Sequence, residues 1–484
     1  MDYAVNLLLT LPELVISIGA IILMLVAAWG GQGSTRAVSW TSVAVLAGAL
    51  IALAGPASEG GIAFDGLFRA DAFAAFAKVL IYVAAAVAIV MAPGFFERSS
   101  GDDLRPEYPV LVLLSTAGAS IMVSAGDLLT LYVGLELQSL SSYVLASFMR
   151  RDARSAEAGL KYFILGALAS GILLYGISIV YGFSGTTLFE GIAAAYAVPS
   201  AELSTGLLFG LVFIFAGIAF KLAAVPFHMW TPDVYEGSPT PVAALFATAQ
   251  KVAAVALGVR VAMEAMGPAV FQWRQIVIFA ALASIVLGAV AAIGQNNTKR
   301  LLAYSSINNI GFALIGLAAG TAEGVAGVLV YMAIYIAMTM GSFLVVLQMR
   351  EADGTPVESI AALSGMSRTR PGLAAALAVF MLSLAGIPPL FGFWAKFVVF
   401  DAAVQAGLLP LAAIGIALST IGAYYYLRII KTMYFDEPTG SFPPVASPIE
   451  GGLIAATAVF VSPLGYFLIP ALGVWSSAAA RSLF

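Results

Sequence analysis

The stretch AFKLAAVPFHMWTPDVYEGSPTP, residues 219–241, decides the fold. It holds Lys221, the chain's only histidine (His228), Asp233, Glu236 and four prolines. Long apolar runs flank it on both sides. A proline removes a backbone donor and clashes with the preceding turn, so a helix entering this stretch breaks in it. Broken backbone between membrane-length apolar runs survives only when buried in protein or beside water.

Composition supports a membrane setting. Hydrophobic residues make up 61% of the chain and charged residues 10%, against about 25% charged in a soluble domain. Apolar stretches recur from end to end, each long enough to cross a bilayer as a helix. They are too uniformly apolar for barrel strands, which alternate in polarity. With no cysteine and one histidine, the chain cannot ligate an iron–sulfur cluster through Cys or attach haem at CxxCH. A bis-His haem or a His-rich metal site is equally without ligands. No cofactor and no metal are therefore expected in this chain, and any electron transfer belongs to a partner. The opening MDYAVNLLLTLPELV lacks the basic start of a signal peptide, so the first apolar segment is expected to be a retained span.

Fourteen spans are read: 10–29, 38–55, 72–93, 108–125, 127–148, 157–183, 204–239, 241–264, 272–294, 299–319, 324–349, 371–404, 407–431 and 449–470. The longest linker, near 350–370, is too short for a soluble domain. Loops after odd-numbered spans hold Arg36, Arg98, Arg105, Arg150, Arg151, Arg154, Lys299, Arg300, Arg350, Arg368, Arg370, Arg428 and Lys431. Loops after even-numbered spans and the tail hold only Arg69, Arg274 and Arg481. The positive-inside rule then makes the odd loops cytoplasmic and sends both termini outward.

Spans 7 and 12 exceed the roughly 17–25 residues that cross a bilayer. Each carries prolines near its middle, Pro226 and Pro232 in the first, Pro388 and Pro389 in the second, and each is expected to break there. AGIAFKLAAVPFHMW (216–230) and AGIPPLFGFWAK (385–396) share small residues, a proline, then aromatics and a tryptophan. Five spans apart means opposite directions through the membrane. That is the pattern of an inverted repeat with a discontinuous helix in each half, and it marks an ion or substrate pathway. The expected fold is an all-α polytopic membrane protein of about fourteen transmembrane helices, forming a single membrane domain over 1–484. Its parts are a three-helix segment at 1–105, inverted five-helix repeats at 106–266 (spans 4–8) and 267–431 (spans 9–13), and a C-terminal helix at 432–484.

Six basic residues fall inside spans: Lys78, Lys161, Lys221, Lys251, Arg260 and Lys396. Glu136 lies about nine residues, roughly 14 Å, into its span, and Lys251 lies at a similar depth. Lys221 precedes the break at Pro226, and Lys396 follows that at Pro389. Each costs roughly 3 kcal/mol or more to place at such depth and must face a partner or water. Burial disfavours the charged form of a lysine and a nearby carboxylate restores it. A lysine whose distance to a glutamate changes is thus a switchable proton site, and Glu136 with Lys221 is the candidate pair. Histidine titrates nearest physiological pH, which suits His228 to a relay or to a satisfied buried position. Thr248, Tyr304, Ser305 and Ser306 are candidates for ordering water, and YSSINN equally for hydrogen bonds between helices. Lys161, four residues past Glu157, fits either a proton site or an interfacial cation that snorkels; Lys78 fits the latter better. Arg260 and Glu264, at i and i+4, read as a surface pair. Asp233 and Glu236 read chiefly as groups that hold the break together.

FKLAAVPFHMWTPDVYEGSPTPVAALFATAQKVA (220–253) resembles the signature of the antiporter-like membrane subunits of respiratory complex I, the NADH–quinone oxidoreductase. SAEAGLKYFILGALASGILLYGISIVYGFSGTT (155–187), LYVGLELQSLSSYVL (131–145) and GIPPLFGFWAKF (386–397) carry the same likeness, which extends over nearly the whole chain. The PDVYEG form of the break is similar to the subunit N group, while L- and M-type relatives look like PDAH there. The resemblance implies fourteen helices, two inverted repeats and one proton-translocating module. It implies a proton path at Glu136, Lys161, Lys221, Lys251, His228 and Lys396. Flavin, iron–sulfur clusters and quinone are then expected in partner subunits. The expected partners are other complex I membrane subunits, including related antiporter-like ones, and the lipid bilayer, with no nucleic acid. A bacterial inner membrane is the expected location.

On this reading protons enter from the cytoplasm, load Lys221 and Lys251, pass by His228 to Lys396 and leave outward, with Glu136 setting the affinity of Lys221. No phosphate-binding Walker loop is present, so a neighbouring subunit drives the cycle. The alternative is a subunit of a cation/proton antiporter driven by ion gradients, with much the same fold and lysines. A purely structural scaffold is disfavoured, because it gains nothing from charges at mid-depth.

Overall fold

Polar side chains set the helix starts. Asp71 Oδ1 accepts from Ala74 N at 2.7 Å, and Asp127 accepts from Leu129 N and Thr130 N at 3.1 and 2.9 Å. Asn297 accepts from Arg300 N at 3.1 Å. Each satisfies backbone donors that the first helical turn leaves free. The computed structural model describes residues 3–98, 104–198, 203–351, 353–445 and 447–484.

The first six spans are Leu11–Gly30, Thr35–Ala52, Ala72–Phe96, Glu107–Val123, Leu128–Ala146 and Ala153–Ser184. The seventh is two helices, Thr205–Leu222 and Trp230–Gly237. The ninth, tenth and eleventh are Val270–Ile293, Thr298–Ala319 and Ala322–Gln348. The twelfth is again two helices, Pro371–Ala385 and Phe391–Gln405, and the thirteenth is Leu409–Phe435. The eighth, tenth and eleventh spans are buried almost throughout, whereas the first and thirteenth are mostly exposed. The centre of the bundle is therefore where charge is most costly.

Both expected breaks occur. Thr205–Leu222 ends where Ala223 turns left-handed (φ 57°), and Pro371–Ala385 ends where Gly386 does the same (φ 83°). A cis peptide bond follows in each, Val225–Pro226 and Pro388–Pro389. Pro232 is a correction: it does not break the chain. It lies in the first turn of Trp230–Gly237, where a missing N–H costs nothing.

Three features were not foreseen. The eighth span is interrupted at Thr248, between Thr240–Ala247 and Ala249–Arg260, and ends in a π-helical turn, Val261–Ala265. The last span extends past residue 470: Pro448–Val461 is followed by a 3₁₀ stretch, Pro463–Leu468, and a helix, Ile469–Arg481. A small antiparallel hairpin pairs Gly61–Ala63 with Phe68–Ala70 in an otherwise helical chain.

Glycine lets two helix pairs meet backbone to backbone. A Cβ on Gly118 of the fourth span would lie 2.4 Å from Gln138 N of the fifth. A Cβ on Gly288 of the ninth would lie 2.6 Å from Asn308 N of the tenth. Such close approach is how helices pack without a hydrophobic drive between them.

The loops sort onto two faces. Phe68 bridges Ala125 and Asp127 bridges Leu188, which joins the loops after spans 2, 4 and 6. Ser482 Oγ accepts from Phe73 N at 3.2 Å, so the C-terminal end lies on this face too. On the opposite face Asn297 bridges Ser359, and Arg98 meets Glu450 at 2.9 Å.

Candidate functional site

Lys221 stands in the last turn of the first half of span 7. Its ammonium donates to Ser139 Oγ on the fifth span and lies 6.0 Å from the centre of the Tyr143 ring. Ser139 is three residues past Glu136, hence on the same helix face. The Glu136 carboxylate accepts from Ser170 Oγ of the sixth span, and Ser170 stands 3.1 Å from the Tyr132 hydroxyl. No ion pair joins Glu136 to Lys221 among the described residues; Glu136 is engaged by Ser170 and Lys221 by Ser139.

Lys251 is buried. Its Nζ donates to the Leu222 carbonyl at 2.8 Å and lies 5.5 Å from the Trp230 ring centre. Leu222 is the last residue before the first break. Lys396 repeats the arrangement in the second half: Nζ donates to the Ala385 carbonyl at 2.9 Å and to Ser419 Oγ at 3.1 Å, 4.4 Å from the Phe312 ring centre. Ala385 is the last residue before the second break. A helix end leaves its last carbonyls without intrahelical partners and carries partial negative charge. Each lysine answers both at once.

The tenth span carries a row of hydrogen-bonded polar side chains below Lys396. Ser305 and Tyr426 share a 2.5 Å hydrogen bond, Asn309 Nδ2 stands 3.1 Å from Tyr426 Oη, and Tyr331 donates to Asn309 Oδ1 at 2.8 Å. Tyr335 donates to Ser306 at 3.0 Å. Phe312, under Lys396, lies one turn beyond Asn309 on the same helix. Thr248 is satisfied locally by Ala244 O at 2.6 Å.

His228 lies half-buried within the first break, its imidazole beside the Pro226 backbone. Lys161 is not at the buried row. It joins a half-exposed ionic cluster at the mouth of the bundle, 2.7 Å from Glu157 and 2.6 Å from Asp233. Arg300 meets Asp233 at 2.6 Å and Glu236 at 2.8 Å. Lys299 donates to Glu236 O and Ser238 O at 2.8 and 2.7 Å and to Glu358 at 3.0 Å. Asp233 and Glu236 thus tie the half-helix after the break to the sixth and tenth spans.

Two readings need correction. Arg260 and Glu264 are not a surface pair: Arg260 is fully buried, 2.8 Å from Glu264 and 2.7 Å from Asp71. Lys78 does not snorkel. It is fully buried and paired with Glu13 at 2.6 Å, and Ser120 donates to the same oxygen at 2.5 Å. Sequence reasoning also passed over Ser139, Ser170 and Ser419, whose only signal was a hydroxyl facing a charge across a helix pair. Among the described residues no cluster of His, Cys, Asp or Glu suits a metal ion.

Residues 125–422 match the family model described as NADH:quinone oxidoreductase/Mrp antiporter, transmembrane. The chain is 67% identical over its whole length to "NADH-quinone oxidoreductase subunit N" of Rhizorhabdus wittichii, all of which is covered. It is 57% identical to the protein of that name from Erythrobacter litoralis, covering 100% of this chain and 99% of the relative. Its fold superposes on a chain of respiratory complex I from Thermus thermophilus with TM-score 0.82, at 31% identity, over 97% of this chain and 99% of the other. A chain of the Mrp complex from Dietzia superposes with TM-score 0.81 at 23% identity, over 98% and 97%, and that likeness carries the fold alone. The chain belongs to the NADH–quinone oxidoreductase subunit N family of antiporter-like membrane proteins.

Proposed function

We propose that this chain is the proton-translocating subunit N of a bacterial NADH–quinone oxidoreductase, coupling electron transfer in partner subunits to proton movement through its own buried lysines. The observation that carries the reading is the matched pair of breaks, each with a buried lysine on its last carbonyl. Such a lysine holds a proton where charge is costly, and its charge state is felt by the helix end it caps. Glu136, Lys221, Lys251 and Lys396 carry the proton, with hydroxyls of the tenth span and water between them, and His228 serves the break. Lys161 and its carboxylates form the entry from the cytoplasm. The basic face is cytoplasmic by the positive-inside rule, so both termini are periplasmic and the membrane is the bacterial inner membrane. The repeats at 106–266 and 267–431 each supply one half of the path. Flavin, iron–sulfur clusters and quinone reside in partner subunits.

The test is copurification. The tagged chain, extracted in mild detergent, is expected to bring NADH dehydrogenase activity with flavin and iron–sulfur absorbance. Recovery with hydrophobic subunits alone, together with sodium-dependent proton flux, would overturn the reading in favour of an antiporter.

A further inference from the structure

Between the first half of the twelfth span, Pro371–Ala385, and Pro448–Val461 runs an open groove of about 660 Å³. Its walls are small and apolar, with Ala376 and Val379 on one side and Ala455 and Ala458 on the other. Thr369 and Arg370 stand at its mouth and Ser462 at its far end. Arg370 Nε donates to Phe442 O at 2.6 Å, which fixes the guanidinium at the rim. Its basic neighbours have acidic partners: Arg368 meets Glu437 at 2.7 Å, and Lys431 meets Asp436. Among the described residues no carboxylate pairs with Arg370. A preset guanidinium without a counter-charge at the head of an apolar groove is built for an amphiphile with an anionic head.

The lining residues span about ten helical positions, roughly 15 Å of rise. The groove is open along that length and apolar, which suits an acyl chain laid between the two helices, and the unpaired charge at its head selects an anionic lipid as the occupant. Arg370 also lies on the face rich in arginine and lysine, where a membrane presents its anionic headgroups to basic residues.

We propose that this groove is a binding site for an anionic phospholipid of the leaflet on the basic face. The phosphate sits on the free Nη donors of Arg370, a geometry that favours paired hydrogen bonds, and an acyl chain runs between the two helices. The site does not depend on the route protons take.

The experiment uses the intact complex and phosphatidylglycerol with a diazirine in its acyl chain. Crosslinks are expected within 371–379 and 451–459. R370Q is expected to cut them about fivefold, the weight of one basic residue against an anionic headgroup. A455W, which fills the groove and leaves the arginine, is expected to abolish them, so either variant suffices if the other fails to assemble. Equal labelling by zwitterionic phosphatidylcholine, undiminished labelling in both variants, or a partner chain crosslinked through these segments in place of lipid would overturn the proposal.

Discussion

Lys251 Nζ lies 2.8 Å from the carbonyl oxygen of Leu222, the residue next to Lys221 in sequence. One helix end therefore presents two lysines, Lys221 directed to the fifth span and Lys251 arriving from the eighth. Charge on Lys251 favours the helix end and opposes charge on Lys221, so loading one biases the other. Lys396 likewise meets the Ala385 carbonyl at 2.9 Å at the second break, there from the other half of the same span. On the proposed function, proton occupancy and break geometry are expected to be coupled in each half.

Lys396→Met is expected to remove the donor from Ala385 O and Ser419 together. An unpaired buried carbonyl costs about 1–3 kcal/mol, so the assembled complex should melt at a lower temperature as well as pump poorly. Calorimetry on the purified complex checks the first effect and proton uptake by proteoliposomes the second. A variant of unchanged melting temperature would show that the capping contact contributes nothing.

Ser139→Ala tests the link between Glu136 and Lys221. With the hydroxyl gone, Lys221 is expected to turn towards the Glu136 carboxylate. Proton uptake by proteoliposomes should slow, by less than in Glu136→Gln. Unchanged uptake would place Ser139 outside the path.

The cytoplasmic cluster has a graded expectation. Glu157→Gln removes one exposed partner of Lys161 and should change stability by no more than about 0.5 kcal/mol. Arg300→Gln removes the ion-pair partner of Glu236 and leaves Asp233 with Lys161 alone, and should cost about 1–2 kcal/mol. Thermal unfolding of the two variant complexes, measured side by side, decides whether Arg300 is the member that holds the break.

Glu358 fastens the loop between spans 11 and 12. Burial pushes its carboxyl up, but Lys299 and a hydrogen bond from Asn297 outweigh that and hold it below the usual carboxylate range. A depressed folded-state value contributes stability above the unfolded value, about 4.3, and that contribution is lost as pH falls through the folded value. Amide exchange over 353–365 should therefore rise as pH drops below about 4.3, once intrinsic rates are corrected. Glu358→Gln should be loose at pH 7 and indifferent to acid.

Much of this was legible because membrane depth makes each feature costly and hence visible. Span length, proline position and the asymmetry of Arg and Lys located the helices and both main breaks. Lys221, Lys251 and Lys396 stood out because no lipid-facing role tolerates them. Pro232 misled because a proline breaks a helix only where an N–H is needed, and the first turn needs none. Arg260 and Lys78 misled because their acids, Asp71 and Glu13, lie far off in sequence. The stop at Thr248 has no proline to announce it. Ser139 and Ser170 matter only through the charges they face across helix pairs, and spacing along one helix cannot show that.

The most direct measurement is proton uptake per NADH oxidised by proteoliposomes containing the assembled Lys221→Ala complex. The account predicts a fall of about tenfold or more, the scale on which loss of a positioned proton carrier acts, with subunit composition and flavin content unchanged. Wild-type pumping in that assembled variant would contradict it.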